Sequence, residues 1–510
     1  MKTTFLISLL FLRLSAGWSQ NALPAITSGS LTWNEQLHTI EISFDLSDAD
    51  NSQLEVRCIV YHWDDARLHE DILPLSISGD AGFPINPGQN KKIQLQLDPN
   101  TAYSKLKVIL IAGDREPLVP DHLLSQVDTA QLNLHVTQLE GKRNTTDPTH
   151  YLKSRNYLRE QLLSKSGYRE LEFRNAQYYC LNFESTQSGY ETPEETYVID
   201  AHYDSAPTSP GADDNASGVA GVLEATRILQ PYASKKSLRY LLFDLEENGL
   251  VGSTIYMSNQ ASKKDLFKGT INLEMIGYYS EAPYSQSFPT GFNILFPDAF
   301  NELTRDSSRG NFITNVGNTN SKSLIQRFQD HAAMNVPELK VISLEVPGNG
   351  SLVPDLRRSD HAVFWDRGIP ALMLTDGANF RNKNYHTPRD SSTYLNFGIM
   401  AQVVKASLST LIDLACVEHS TSKEFDLQIS TSTSQEQQDQ LSLHYEQGQL
   451  IIHSKLDLKD QVIRLTDMNG RLILQQQIGL FAHAPTAIEC KLPAGLYGLF
   501  LSGKTNESTP

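Results

Sequence analysis

The stretch Thr196–Leu229, TYVIDAHYDSAPTSPGADDNASGVAGVLEATRIL, decides the fold. Thr196 to Ala201 reads as a buried strand, and Gly218 to Leu229 reads as a helix with Val219, Val222, Leu223 and Leu229 on its apolar side. Between them lies a loop of small residues that carries His202, Asp204, Asp213 and Asp214. The same texture continues outward, with strand patterns at Leu238–Phe243, Thr270–Met275, Leu339–Leu344 and Pro370–Leu374 and helical stretches between them. Alternation of this kind from about Gln131 to Ala415 implies an α/β layered domain. In such a domain the active site lies outside the strand ends.

Five clusters bear chemistry at those ends. His202-Tyr203-Asp204 leaves the first strand with a carboxylate two residues on, as a metal-bound imidazole needs when an acid fixes its tautomer. Alone, that pair is weak. Gly211–Gly218 holds adjacent acids before a helix, which as caps would favour the helix dipole and as ligands would bridge two cations. Asp244, Glu246 and Glu247 crowd the end of an apolar strand, a costly arrangement unless cations neutralise it. Glu274 sits inside a mostly apolar strand and needs a partner. His386 supplies a second imidazole beside Asp390. Two histidines and at least three carboxylates suit a pair of zinc ions about 3.5–4 Å apart.

Six blocks, His202-Tyr203-Asp204, Gly211–Gly218, Glu246–Ser253, Asn272–Gly277, Ser359-Asp360-His361 and Tyr385-His386-Thr387, occur in the order seen in family M28 of zinc peptidases, and the resemblance spans roughly Leu139 to Ala415. It implies a three-layer α/β/α zinc-exopeptidase domain with a mixed, mainly parallel sheet. It also implies two Zn2+ ions, with Asp214 bridging them, Glu247 and His386 completing one site, His202 and Glu274 completing the other, and Glu246 as general base. The position of Glu274 is more usually aspartate in that family. Asp204 is expected to orient His202, Asp360 and His361 to line the pocket or pack behind it, and Asp213 to cap the helix. Tyr385 is a candidate for a hydrogen bond to a developing oxyanion. The walls of the specificity pocket are expected from loops between Ser280 and Pro354.

The flanks read differently. Alternation at Ile40–Leu46, Leu54–Val60 and Ile93–Leu97 implies an N-terminal β-sandwich of immunoglobulin or fibronectin type. Residues 417–440 are rich in Ser, Thr, Gln and Glu and read as a linker. Short strand patterns over 441–510 imply a second sandwich, in which VIRLTDMNGRLILQ (Val462–Gln475) and LPAGLY (Leu492–Tyr497) resemble the sorting domain of the type IX secretion system. Lys2, the apolar Phe5–Leu14 and the small residues before a cut after Ser19 read as a secretory signal. The expected organisation is therefore a leader over 1–19, a sandwich over 20–125, the catalytic domain over 126–416, the linker over 417–440 and a sorting domain over 441–510.

With 510 residues and a formal net charge of -16, the chain is large enough for several cores and acidic enough to repel nucleic acid and anionic membrane. Beyond the leader no apolar run is long enough to span a bilayer. Cys58, Cys180, Cys416 and Cys490 are scattered and read as buried free thiols. The expectation is a secreted or cell-surface aminopeptidase acting on peptides, with the secretion machinery as partner of its C-terminal domain. Two rivals remain. A glutaminyl cyclase shares the fold and zinc ligation, but that family typically has tryptophan where this chain has Tyr385. An inactive, metal-free surface binding protein would be expected to have lost a ligand or the base.

Overall fold

The computed structural model describes residues 21–64, 67–101, 103–261 and 265–429, together with six strands between 441 and 502. The leader, residues 430–440, the turn at 468–470, Cys490 and residues 492–496 lie outside the described residues. The chain divides into two compact units, the larger carrying the N-terminal strands and the central domain, the smaller formed from Gln428 onward together with residues 102–104.

The central domain is built on an eight-stranded mixed sheet. Its strands are β1 (Arg169–Arg174), β2 (Tyr179–Gln187), β3 (Thr192–His202), β4 (Lys236–Phe243), β5 (Leu266–Glu274), β6 (Ile313–Asn318), β7 (Val341–Val346) and β8 (Ala371–Thr375). The spatial order is β7-β6-β8-β5-β3-β4-β2-β1. From β8 through β5 and β3 to β4 the pairing is parallel, as it is between β7 and β6, while β1 and β2 close one side antiparallel and β6 meets β8 antiparallel. The inner strands are covered on both faces, which explains their nearly unbroken apolar runs.

One face is packed by α1 (Thr129–Leu139), α2 (Pro148–Leu162), α3 (Gly218–Leu229), α4 (Lys322–Asn335) and α5 (Phe397–Ala415), whose buried side chains join those of the sheet in one core. α5 is the only helix among the described residues long and apolar enough to cross a bilayer. Its Met400, Val403, Val404, Leu408 and Leu411 are buried in that core instead. The opposite face carries a second core, with Phe243, Tyr256, Phe292, Phe364 and Trp365 among its members. Three layers result, the α/β/α arrangement expected.

The N-terminal strands form two sheets. Thr39–Ser47 lies between Ala25–Asn34 and Gly88–Gln96, antiparallel to both, and buries Ile40, Ile42, Phe44 and Leu46 on one face in the alternation read from the sequence. The second sheet holds a strand that the sequence reading misplaced. Ser420–Gln428, read as the start of a linker, instead joins the edge of the sheet formed by Leu54–Asp64 and Lys105–Gly113. The N-terminal sheet thus contains a strand contributed from beyond the central domain, and Lys107 pairs with Glu424 there at 2.8 Å. Leu123, Leu124 and Val127, on either side of the expected boundary at 125, are buried in the core of the central domain.

In the smaller unit, Leu441–Glu446, Gln449–Ser454 and Thr486–Glu489 form one three-stranded sheet, and Leu458–Asp467, Leu472–Leu480 and Tyr497–Ser502 form another. Cys58 and Cys180 are buried free thiols, whereas Cys416 is free but exposed.

Candidate metal centre

Parallel strands bring their carboxyl ends to one rim, and the candidate ligands stand there. His202 is the last residue of β3, Glu274 is the last of β5, and Glu246 and Glu247 follow the end of β4. Asp214 comes from the turn between β3 and α3, and His386 from the loop after β8. The turn is tight: Gly211 adopts φ +64°, and a Cβ on it would lie 2.4 Å from the Asp214 carbonyl oxygen and 2.6 Å from Arg143. A Cβ on Gly218 would lie 2.4 Å from the Leu273 carbonyl, so glycine also lets α3 start against the strand that ends in Glu274.

Every residue expected as a ligand is brought together, in two groups that share Asp214. His202 Nε2 lies 3.4 Å from Asp214 Oδ1 and 3.3 Å from Glu274 Oε2. His386 Nε2 lies 3.0 Å from Asp214 Oδ2 and 3.1 Å from Glu247 Oε2. Each trio offers one imidazole nitrogen and two carboxylate oxygens, all within 4.8 Å of one another. Glu246 Oε2 is 3.9 Å from His202 Nε2 and belongs to neither trio.

These groups fit divalent zinc by their own chemistry. His202 Nε2, Asp214 Oδ2 and Glu247 Oε1 are buried without a hydrogen-bond partner. Among the described residues no lysine or arginine forms an ion pair with Asp214, Glu246, Glu247 or Glu274. Two unit charges of like sign at 4 Å repel by about 4 kcal/mol at an effective permittivity of 20. A cluster with several such pairs is stable only with protons or metal cations among them. Without metal the protons stay: burial and the Asp214 charge push Glu247 up to about 7, against the pull of His386. Burial opposes charge on His386, yet the Asp214 and Glu247 carboxylates beside its Nε2 raise it to about 10. Burial lifts Glu246 well above the usual carboxylate range, with His202 opposing and Glu274 adding to the rise.

Behind the ligands, a frame of hydrogen bonds fixes their positions. Asp204 Oδ1 is 3.3 Å from His202 Nδ1, while its two oxygens accept from the backbone N–H groups of Glu246 and Glu247 at 3.0 and 3.2 Å. One acid therefore flanks the imidazole from β3 and ties down the acidic loop after β4, an arrangement common beside metal-bound imidazole. Asp390 does the same for the turn, accepting from the N–H groups of Asp213 and Asp214. Ser359 Oγ donates to Glu274 Oε2 at 2.8 Å.

Two lesser expectations change, and His361 takes the packing alternative. Asp213 is not a helix cap: it is fully buried and accepts from Gly277 N–H and from Asn382 Nδ2, holding β5 and the His386 loop against the turn. His361 is a packing residue, buried edge-on against Trp365 and bonded to the Leu356 carbonyl, and burial takes its pKa down to about 4. The cavity beside Glu274 is lined by Asp355, Leu356, Arg358, Met373, Thr375, Gly377–Phe380 and Tyr385, none of them from the loops before Pro354. Tyr385 stacks on His386 with ring centres 3.8 Å apart, and its hydroxyl accepts from Arg358 at 2.7 Å.

Arg143 escaped the sequence reading. It is fully buried, makes no ion pair among the described residues, and donates to the carbonyls of Leu139, Tyr203, Pro210 and Gly211. Its guanidinium thus braces the two segments that carry Asp204 and Asp214.

Residues 185–411 match the model of Peptidase family M28. Over 228 residues, 42% of this chain, the sequence is 38% identical to the uncharacterized protein YfbL of Escherichia coli, covering 65% of that protein. Over 87 residues, 17% of this chain, it is 45% identical to the aminopeptidase YwaD of Bacillus subtilis, covering 19% of that protein. Among solved structures, the LapA aminopeptidase of Legionella pneumophila aligns over 58% of this chain and 74% of its own, at 19% identity and a TM-score of 0.44. Residues 185–411 thus carry the sequence pattern of Peptidase family M28, and the chain spans less than two thirds of the length of either of these two relatives.

Proposed function

We propose that the protein is a zinc-dependent aminopeptidase that holds two metal ions and hydrolyses the N-terminal peptide bond of its substrates. The observation that carries this reading is the pair of ligand trios sharing Asp214, with Glu246 beside them and free of both. His202, Asp214 and Glu274 would hold one ion, and Asp214, Glu247 and His386 the other. Bound zinc supplies Lewis acidity toward a peptide carbonyl and lowers the pKa of water.

The chain's own residues do the rest. A Glu246 carboxylate oxygen takes the proton of the attacking water and returns it to the leaving amine nitrogen, the reaction of a general acid–base group. Asp204 and Asp390, through the backbone N–H groups they hold, keep the base and the bridging ligand in register. All five ligand positions are filled and assembled, which speaks against an inactive binding protein.

A panel of aminoacyl fluorogenic amides and an N-terminal glutaminyl peptide, assayed before and after chelation, tests the reading. Chelator-sensitive release of the first residue is expected, with no cyclised product. Glu246→Gln should keep its metal and lose roughly 10²–10⁴-fold in kcat. Full turnover in that variant would remove Glu246 from the role of base.

Export is also proposed, on the sequence of the leader and on the likeness of Val462–Gln475 and Leu492–Tyr497 to a sorting domain. Sequencing the mature N-terminus should find Gln20 first, and an intact Met1 in material recovered outside the cell would contradict it.

A further inference from the structure

Two cavities abut the ligand cluster from different sides, and their sizes are unequal. One of about 50 Å³ is walled by Glu274, Leu356, Met373, Phe380 and Tyr385. The other, of about 480 Å³, begins at Glu247 and Ser205 and extends to Tyr151, Arg155, Leu152 and Tyr179. In this measure one water needs roughly 10–15 Å³, so the first has room for a single small side chain and the second for several residues of peptide. In an enzyme that removes one residue at a time, the small space would hold the end of the chain and the large one would take the remainder.

The larger groove is lined by one acid, Glu247, and one base. Arg155 is the only cationic side chain among its lining residues. Its guanidinium lies 3.9 Å above the ring of Tyr151, and it donates from Nε to the Tyr203 hydroxyl at 3.0 Å and from Nη2 to Asp244 Oδ2 at 2.7 Å. The side chain is only 11% exposed, so these contacts fix the plane of the group at the groove wall. Asp244 does not depend on Arg155 alone, because Tyr151 Oη and the backbone N–H groups of Leu181 and Leu245 also donate to it. A flat, immobilised guanidinium with Nη1 unengaged by the Tyr203 and Asp244 contacts is suited to a carboxylate.

We propose that the 480 Å³ groove is the subsite for the leaving portion of the substrate, and that Arg155 receives its terminal carboxylate. The preferred substrates are then short peptides, two or three residues long, that end within the groove. This rests on the aminopeptidase reading and adds to it a substrate class and a direction of binding, with the first side chain beside Glu274 and the leaving chain past Glu247.

The zinc-loaded full chain is assayed with di-, tri- and pentapeptides that share an accepted first residue, each as the free acid and as the C-terminal amide, beside a fluorogenic aminoacyl amide that has no leaving peptide. In the wild type the acid should exceed the amide by roughly tenfold or more in kcat/KM at two or three residues, mainly through KM, and by little at five. In Arg155→Gln the acid-to-amide ratio should fall toward one, and in Arg155→Lys it should be partly kept. Equal rates for acid and amide in the wild type, with the fluorogenic substrate cut, would overturn this inference and leave the aminopeptidase reading standing. A ratio unchanged in Arg155→Gln would also overturn it. Failure to cut any of these substrates with zinc present would overturn both.

Discussion

The two ends of the same three strands carry acids in opposite ways. At the start of β4 and β5, Glu195 pairs with Lys236 at 3.1 Å and with Lys268 at 3.0 Å, all three partly exposed. At their other ends, Asp214, Glu246, Glu247 and Glu274 are gathered with no lysine or arginine pairing among the described residues. Even on that rim, Asp244 has its arginine, with Arg155 at 2.7 Å. The fold supplies cationic side chains where an acid is structural and withholds them where a metal cation is to enter.

Removing the shared ligand should have the largest effect. Asp214→Asn takes one oxygen from each trio, so activity is expected at background and zinc content at less than half that of the wild type, both read on the same preparation. Retention of both would break the contrast between the two ends. Next comes the acid behind the ligands: Asp204→Asn should weaken zinc binding by roughly 10–100-fold, the usual cost of losing a group that orients a ligand, measured by competition with a chromogenic chelator.

Acidity gives a third, smaller test. His386 in the metal-free protein has its pKa raised from the ordinary 6.5 to about 10, so it holds a proton that the unfolded chain would release. That group stabilises the metal-free fold fully below about pH 6.5 and loses this contribution as pH rises through 10. The unfolding midpoint of chelated protein should therefore fall between pH 7 and 10, and added zinc should flatten the slope. An equal slope with and without zinc would contradict the idea that protons stand in for metal. The smallest effect is expected at the opposite end, where Glu195→Ala should change stability by no more than about 1 kcal/mol, the range of exposed ion pairs.

Much of the rim was legible because each ligand interrupts an apolar pattern. Glu274 ends a strand whose neighbours Ile271 and Leu273 are buried, and His202 follows Val198, Ile199 and Ala201. The helix Gly218–Leu229 was bounded correctly because small residues precede it and its apolar side is regular. β2 was not legible: Asn182, Glu184, Ser185, Thr186 and Gln187 are buried polar residues, satisfied by tertiary hydrogen bonds such as Asn182 to the Gly252 carbonyl, and no hydrophobic period marks them. Ser420–Gln428 failed for a related reason, since an edge strand of half-buried Ser, Thr, Lys and Glu has the composition of a linker. Arg143 and Arg155 are single basic residues whose surroundings come from segments about 60 to 90 positions away, beyond the reach of any local pattern.

Zinc content measured beside activity tests the central claim most directly. Protein is stripped by a chelator and reloaded stepwise, with bound metal counted by elemental analysis and turnover followed on a fluorogenic aminoacyl amide. The account predicts an inactive stripped enzyme and recovery that rises to two zinc ions per chain. Full turnover in the metal-free chain would contradict it.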